Sequence, residues 1–225
     1  MQKSFKYYDI ILAVFAAVLL ISNLAGTKLI AFGPITTDGG AVLFPLAYIL
    51  GDILTEIYGY KYARRAIWTA FGIMLLAVAA FTVVRYMPPA PEYTAQASYE
   101  AVLGFFPRIV AASLAAFLTG SFLNSFVLAK LKVKTRGEKL WLRLIGSTFV
   151  GEFFDTVVFA LVAFGGILQG TGMLVYILIG WLFKTGVEVV CLPITYRVIA
   201  KMKQIENIDT YDNKTDFTPF RVDLD

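Results

Sequence analysis

The stretch Phe44-Pro45-Leu46-Ala47-Tyr48-Ile49-Leu50-Gly51-Asp52-Ile53-Leu54-Thr55-Glu56-Ile57-Tyr58-Gly59 decides how this chain is read. It is apolar enough to pass for a membrane-spanning helix, yet it carries two acids one helical turn apart, on one face. The same irregularity recurs twice. Glu152 and Asp155 interrupt an apolar run near Leu142–Phe164, and Lys184 and Glu188 interrupt another near Met173–Ala200. An ionised side chain in a bilayer core costs several kcal/mol unless it faces a partner or a wet cavity. Six such residues point to a substrate or ion pathway.

Composition sets the class. The 225 residues are 58% hydrophobic and 16% charged, more apolar than ordinary soluble domains. About 20 residues cross the hydrocarbon core, so the chain has room for five to seven spans and no separate soluble domain. It has no histidine, which removes Ser/His and Cys/His catalysis and the usual zinc sites. Cys191 is the single cysteine and reads as a buried thiol. No Gly-x-x-x-x-Gly-Lys-Ser/Thr motif is present, so energy must come from a gradient, a partner or intracellular trapping. The reading is not an enzyme, with no cofactor, no metal and no nucleic-acid partner. The net charge of +4 reflects basic residues clustered between apolar runs.

The expected architecture is an all-α integral membrane protein, one bundle of six transmembrane helices over residues 1–204, followed by a polar tail at 205–225. The expected spans are Asp9–Ala31, Ala41–Tyr60, Ala66–Met87, Phe105–Ala129, Leu142–Phe164 and Met173–Ala200. Four regions, at the N-terminus, after span two, after span four and at the C-terminal end, hold 16 of the 20 basic residues; the loops near 32–40, 88–104 and 165–172 hold none. The positive-inside rule therefore places both termini in the cytoplasm. The Pro-rich stretch at 88–104 reads as an irregular outer loop or lid. The tail, with its alternating acids, reads as solvated and without evident function.

Depth sharpens the set of candidates. At about 1.5 Å per residue, Asp52 lies roughly 16 Å into span two, near mid-membrane. Glu152, Asp155 and Lys184 reach the same layer from spans five and six, and Asn23 approaches it from span one. Glu56 and Glu188 lie one turn nearer the cytoplasm. Tyr48, Phe153, Phe154 and Trp181 are candidate aromatic walls. Plainer roles compete. Lys184 pairs with Glu188 or Asp155 to lock the bundle, Glu56 and Glu188 reach headgroup water, or Asn23 bonds between helices. Pro45 and Pro193 break or kink their helices, unless Pro45 simply stands near a helix start.

These motifs resemble the queuosine precursor transporter family, also called the vitamin-uptake-transporter family. The matching stretches are the opening one, followed by Ala63-Arg64, together with Ser22-Asn23, Ser147-Thr148-Phe149-Val150-Gly151-Glu152-Phe153-Phe154-Asp155-Thr156, and Phe183-Lys184 with Pro193. The resemblance implies a six-helix importer of 7-deazaguanines in the inner membrane of a prokaryotic cell, such as 7-cyano-7-deazaguanine or its aminomethyl relative. It matches Asn23, Asp52, Asp155 and Lys184 to recurrent polar positions; Glu56 and Glu152 vary among relatives. A carboxylate accepts both the N1–H and the exocyclic amine of such a base, and a flat ring suits aromatic faces. Asp155 or Glu152 is then expected to read the base edge, Lys184 or Asn23 to donate to its carbonyl, and Asp52 to serve the site or a coupled proton.

Two other readings stand beside it. The chain would also fit the substrate-binding subunit of an energy-coupling-factor importer, whose first helix docks its partner through small residues such as Ala13 and Ala17. An intramembrane enzyme would need paired carboxylates on separate helices, and Glu152 and Asp155 share one. Expected partners are the 7-deazapurine and the lipid bilayer, with a homo-oligomer compatible.

Overall fold

The computed structural model of the protein describes residues 5–32, 35–103, 107–166 and 170–220. Its long helices are α1, Tyr8–Ala25; α3, Tyr60–Tyr86; α5, Pro107–Lys134; α6, Leu140–Phe164; and α7, Thr171–Glu206. All five are long and apolar enough to cross a membrane, α5 through its Ala111–Lys134 part. Span one was expected to continue to Ala31. Instead α1 stops at Ala25, where Gly26 N–H donates to Ser22 O at 2.8 Å and the Thr27 hydroxyl to Leu24 O at 2.8 Å. Glycine is a poor helix residue and threonine competes for the last carbonyls. The chain then enters β1, Leu29–Phe32, paired antiparallel with β2, Ile35–Asp38, Leu29 opposite Asp38 and Phe32 opposite Ile35.

The expected second span is built in three pieces. A short 3-10 turn, Gly39–Val42, precedes α2, Phe44–Ile53, which continues into a single π turn, Leu54–Tyr58. Pro45 stands in the first turn of α2, where its missing N–H leaves no ladder bond unmade. From Ala47 almost every residue of this stretch is buried, including Asp52 and Glu56. Wrapping is what lets two acids sit in an apolar phase. The stretch also runs antiparallel to α1 along its length. Near its start, Gly40 O accepts from Ser22 Oγ at 3.0 Å; at its end, the Tyr58 ring packs 5.0 Å from Phe5 and 5.2 Å from Tyr8.

Several helix ends meet at the basic end of the bundle. Lys6 and Tyr7 N–H donate to Glu206 at 3.0 and 2.8 Å, Tyr58 hydroxyl to Glu206 at 2.7 Å, and Tyr8 hydroxyl to Tyr62 O at 2.9 Å. The starts of α1 and α3, the π turn and the end of α7 are thereby neighbours. Pro193 does not break α7, which runs through it; its φ is helix-compatible and one ladder bond is lost. The Pro-rich stretch expected as an outer loop is partly helical, with α4 at Gln96–Leu103, and Gln96 Nε2 donates to Arg85 O at 3.2 Å.

The tail is docked rather than solvated. Asp212 accepts from Tyr60 N–H at 3.2 and 3.1 Å, at the start of α3. Arg64 Nη1 donates to Asp216 O and Thr218 O at 3.0 and 2.6 Å, and Trp68 Nε1 to Pro219 O at 2.7 Å. Lys130 Nζ lies 4.1 Å above the Phe217 ring. Of the acids that suggested solvation, Asp209 pairs with Lys132 and Lys203 of the basic end.

Candidate functional site

Helices α5 and α6 approach until their backbones touch, because both present glycine. A Cβ on Gly120 would lie 3.0 Å from Gly151 O and 2.7 Å from Asp155 Cβ, and one on Gly151 would lie 2.9 Å from Gly120 O. That closeness sets the polar face of α6 against α2 and α7. On it, Asp155 Oδ2 accepts from Lys184 Nζ at 2.6 Å, and Glu152 Oε2 lies 3.5 Å from the same ammonium. Tyr48 of α2 brings its hydroxyl to Glu152. Among the described residues, neither Glu152 oxygen accepts a well-formed hydrogen bond, so this buried carboxylate keeps acceptor capacity that bulk water cannot reach to fill. The side chain of Glu152 is 0% exposed, that of Asp155 11% and that of Lys184 26%. Access to the group is therefore from the lysine side.

Beside this triad stands an aromatic group. The Trp181 ring lies 5.1 Å from Phe153 and 4.4 Å from Phe149, and its Nε1 donates to Phe149 O at 2.9 Å. Phe154 flanks Phe153 at 5.3 Å but is itself exposed. Lys184 thus turns to α6 rather than to Glu188 on its own helix.

One turn further along, Asp52 Oδ1 accepts from Asn124 Nδ2 at 2.8 Å, and Glu188 Oε1 from the Thr148 hydroxyl at 2.7 Å. The two carboxyls face each other within hydrogen-bonding reach. Asn124, Thr148 and Thr185 were not singled out in the sequence. A single Asn in an apolar helix has the look of any interhelical polar residue, and only the depth argument applied to α5 would have raised Asn124.

Glu56 belongs to a different group, at the basic end. It accepts from Arg143 Nε and Nη2 at 2.8 and 2.7 Å, from Lys203 at 2.5 Å, and has Lys132 3.5 Å away. Asp209 of the tail joins Lys132 and, at 2.8 Å, Lys203. Burial alone would raise the Asp209 carboxyl, but hydrogen bonds from the two ammonium groups hold it below its ordinary value. The sequence reading counted Lys132, Arg143 and Lys203 as topology signals, so their buried pairing was missed. Asn23 also stands apart, exposed on α1. Its amide donates to Leu19 O at 2.9 Å and to Met74 Sδ at 3.4 Å.

Residues 38–198 match a family described as "putative vitamin uptake transporter". A probable queuosine precursor transporter of Bacillus subtilis (strain 168) is 32% identical over 187 residues, 83% of this chain and 80% of that protein. The queuosine precursor transporter of Escherichia coli (strain K12) is 30% identical over 128 residues, 57% of this chain and 55% of that protein. No solved structure matches the chain.

Proposed function

The chain belongs to the vitamin uptake transporter family, whose members are transporters and not enzymes, and from that premise we propose that it imports a queuosine precursor into the cell. The substrate is a 7-deazaguanine, 7-cyano-7-deazaguanine or its aminomethyl relative. The membrane is the inner membrane of a prokaryotic cell. Six crossings, the fifteen-residue α2 and π-turn stretch serving as the second with the 3-10 turn before it, put both termini in the cytoplasm, in line with the gathering of helix ends at the basic end.

The observation that carries this reading is the Glu152–Asp155–Lys184 triad beside Trp181 and Phe153. A carboxylate with unfilled acceptor capacity suits the N1–H and amine edge of a guanine-like base. An ammonium on the accessible side suits its carbonyl, and aromatic rings suit its faces. Tyr48 orients Glu152 from behind. Asn23 and Asp52, which the family resemblance puts in the same set, are held elsewhere, the Asn23 amide nitrogen by Leu19 and Met74 and Asp52 Oδ1 by Asn124.

Calorimetric binding of 7-cyano-7-deazaguanine to purified protein, beside guanine, tests the assignment. Saturable binding lost in Asp155→Asn and Lys184→Ala supports it; binding unchanged in both variants removes the triad from the site. One observation favours the alternative of an energy-coupling-factor subunit: Ala13 and Ala17 are exposed on α1. Uptake in a host lacking the ATPase module decides between the two, since a subunit would not transport there.

A further inference from the structure

Charge accounting separates the mid-membrane polar residues into two groups. Glu152 and Asp155 have an ammonium of their own in Lys184. Asp52 and Glu188 have none: among the described residues neither forms an ion pair with a lysine or arginine. Both are nonetheless buried, and they face each other. An ionised carboxylate only accepts hydrogen bonds, so two of them cannot bond to each other, and two unpaired charges in this setting would repel and be costly to desolvate.

The surrounding groups make the same point. Asp52 Oδ1 is filled by Asn124, while Asp52 Oδ2, buried and turned from water, has no donor. Around the pair, α6 contributes the Thr148 hydroxyl and the acid Glu152, α2 contributes Tyr48, the π turn contributes Glu56, and α5 contributes neutral Asn124; along α7, Lys184 lies one turn from Glu188 and is taken by Asp155. Among the described residues, none of these groups pairs a positive charge with Asp52 or Glu188. A second, independent feature is Thr185. It lines one crevice with Thr148 and Glu188, is more than nine-tenths buried, and its hydroxyl has no partner among the described residues. Asp52 Oδ2 lacks a donor, which one mobile hydrogen supplies, while the Thr185 hydroxyl beside Glu188 brings its own hydrogen.

We propose that Asp52 and Glu188 form a proton-binding site, separate from the base-reading triad, that couples uptake of the base to proton entry. The proton sits between the two carboxyls, supplies the donor that Asp52 Oδ2 lacks, and removes one of the two charges. It enters with the base from outside and leaves on the cytoplasmic side. Because Asp52 is on α2 and Glu188 on α7, losing the proton leaves two like charges pushing these helices apart, which is the geometric link to movement of the adjacent triad. The coupling rests on the base being the substrate; the proton site does not.

Two measurements test this. Infrared spectroscopy of the wild-type protein in lipid at neutral pH, without substrate, is expected to show a carboxylic-acid C=O band that shifts in D2O and is lost in Asp52→Asn and in Glu188→Gln. Proteoliposomes loaded with an alkaline interior are expected to accumulate 7-cyano-7-deazaguanine about tenfold for each unit of pH gradient at one proton per base, and Glu188→Gln is expected to accumulate none above equilibration. Absence of the band in the wild type overturns the site. Accumulation that ignores the pH gradient, or follows a sodium gradient instead, overturns the coupling. A base that never binds in calorimetry defeats the proposed substrate, and the infrared band then decides the proton site alone.

Discussion

Arg143 shows how a single side chain sets the electrostatics of the basic end. Its guanidinium meets Glu56 through Nε and Nη2 and uses Nη1 on Gly137 O and Glu138 O at 2.9 and 2.6 Å. Both members of the pair are almost fully buried. Removing one partner of a buried pair leaves a charge without compensation, at about 3–5 kcal/mol. Lys203 and Lys132 remain near Glu56, so Arg143→Met is expected at the low end of that range, read as a fall in melting temperature in detergent. A melt equal to wild type would show that the two lysines suffice. Gly120 acts through space rather than charge. A methyl there meets Asp155 Cβ, Gly151 O and the Tyr48 hydroxyl, and overpacking of this kind costs about 1–3 kcal/mol. Gly120→Ala is expected to push α5 from α6 and displace Asp155, so that calorimetry finds weaker base binding along with the lower melting temperature.

At the scale of elements, the turn between the π segment and α3 carries the most stringent local demand. Gly59 has φ +87° and ψ 170°, a region open essentially to glycine and costing about 1–3 kcal/mol for other residues. A Cβ there would also lie 2.8 Å from Thr210 Cγ2 and 3.2 Å from Asp212. Gly59→Ala is therefore expected to destabilise the protein and to free the tail together, so that a protease cuts the tail sooner while the bundle still melts cooperatively. Intact protection of the tail would disprove the link. This turn also marks where sequence reading stops. Acid spacing and distance from the span ends put Asp52, Glu152, Asp155 and Lys184 at one depth, because rise per residue is nearly constant in a helix. The same arithmetic cannot show the π turn, where Glu56 is held from α5, α6 and α7, nor that α1 ends at Ala25 while apolar residues continue. Asn23, placed near the same layer by that reckoning, is exposed on α1, since depth does not fix which side of a helix meets the bundle.

For the whole molecule, the C-terminal segment acts as a strap across the basic end. It joins the start of α3 through Asp212 and the carbonyls that receive Arg64 and Trp68, and joins α5 and α7 through Asp209. Composition alone made it look solvated, because two of the contacts that dock it are far away in sequence: Asp209 to Lys132, 77 residues off, and Asp212 to the Tyr60 N–H, 152 residues off. A chain ending at Asn207 leaves buried Arg64 and the Tyr60 N–H without these acceptors, each lost hydrogen bond being worth about 0.5–1.5 kcal/mol, so its melting temperature is expected to fall. The strap also has a defined response to acid. The Asp209 carboxyl is held below its ordinary value by Lys132 and Lys203. A lowered value means the contribution is complete above the unfolded value of about 3.9 and is lost as pH falls through the lower folded one. A spin label at exposed Asn213, in a Cys191→Ser background, should therefore keep the same restricted mobility from pH 8 to pH 5 and become mobile only below about pH 4. Release near neutrality would mean that Asp209 does not anchor the strap, and release at no pH that the contacts to α3 hold it without help.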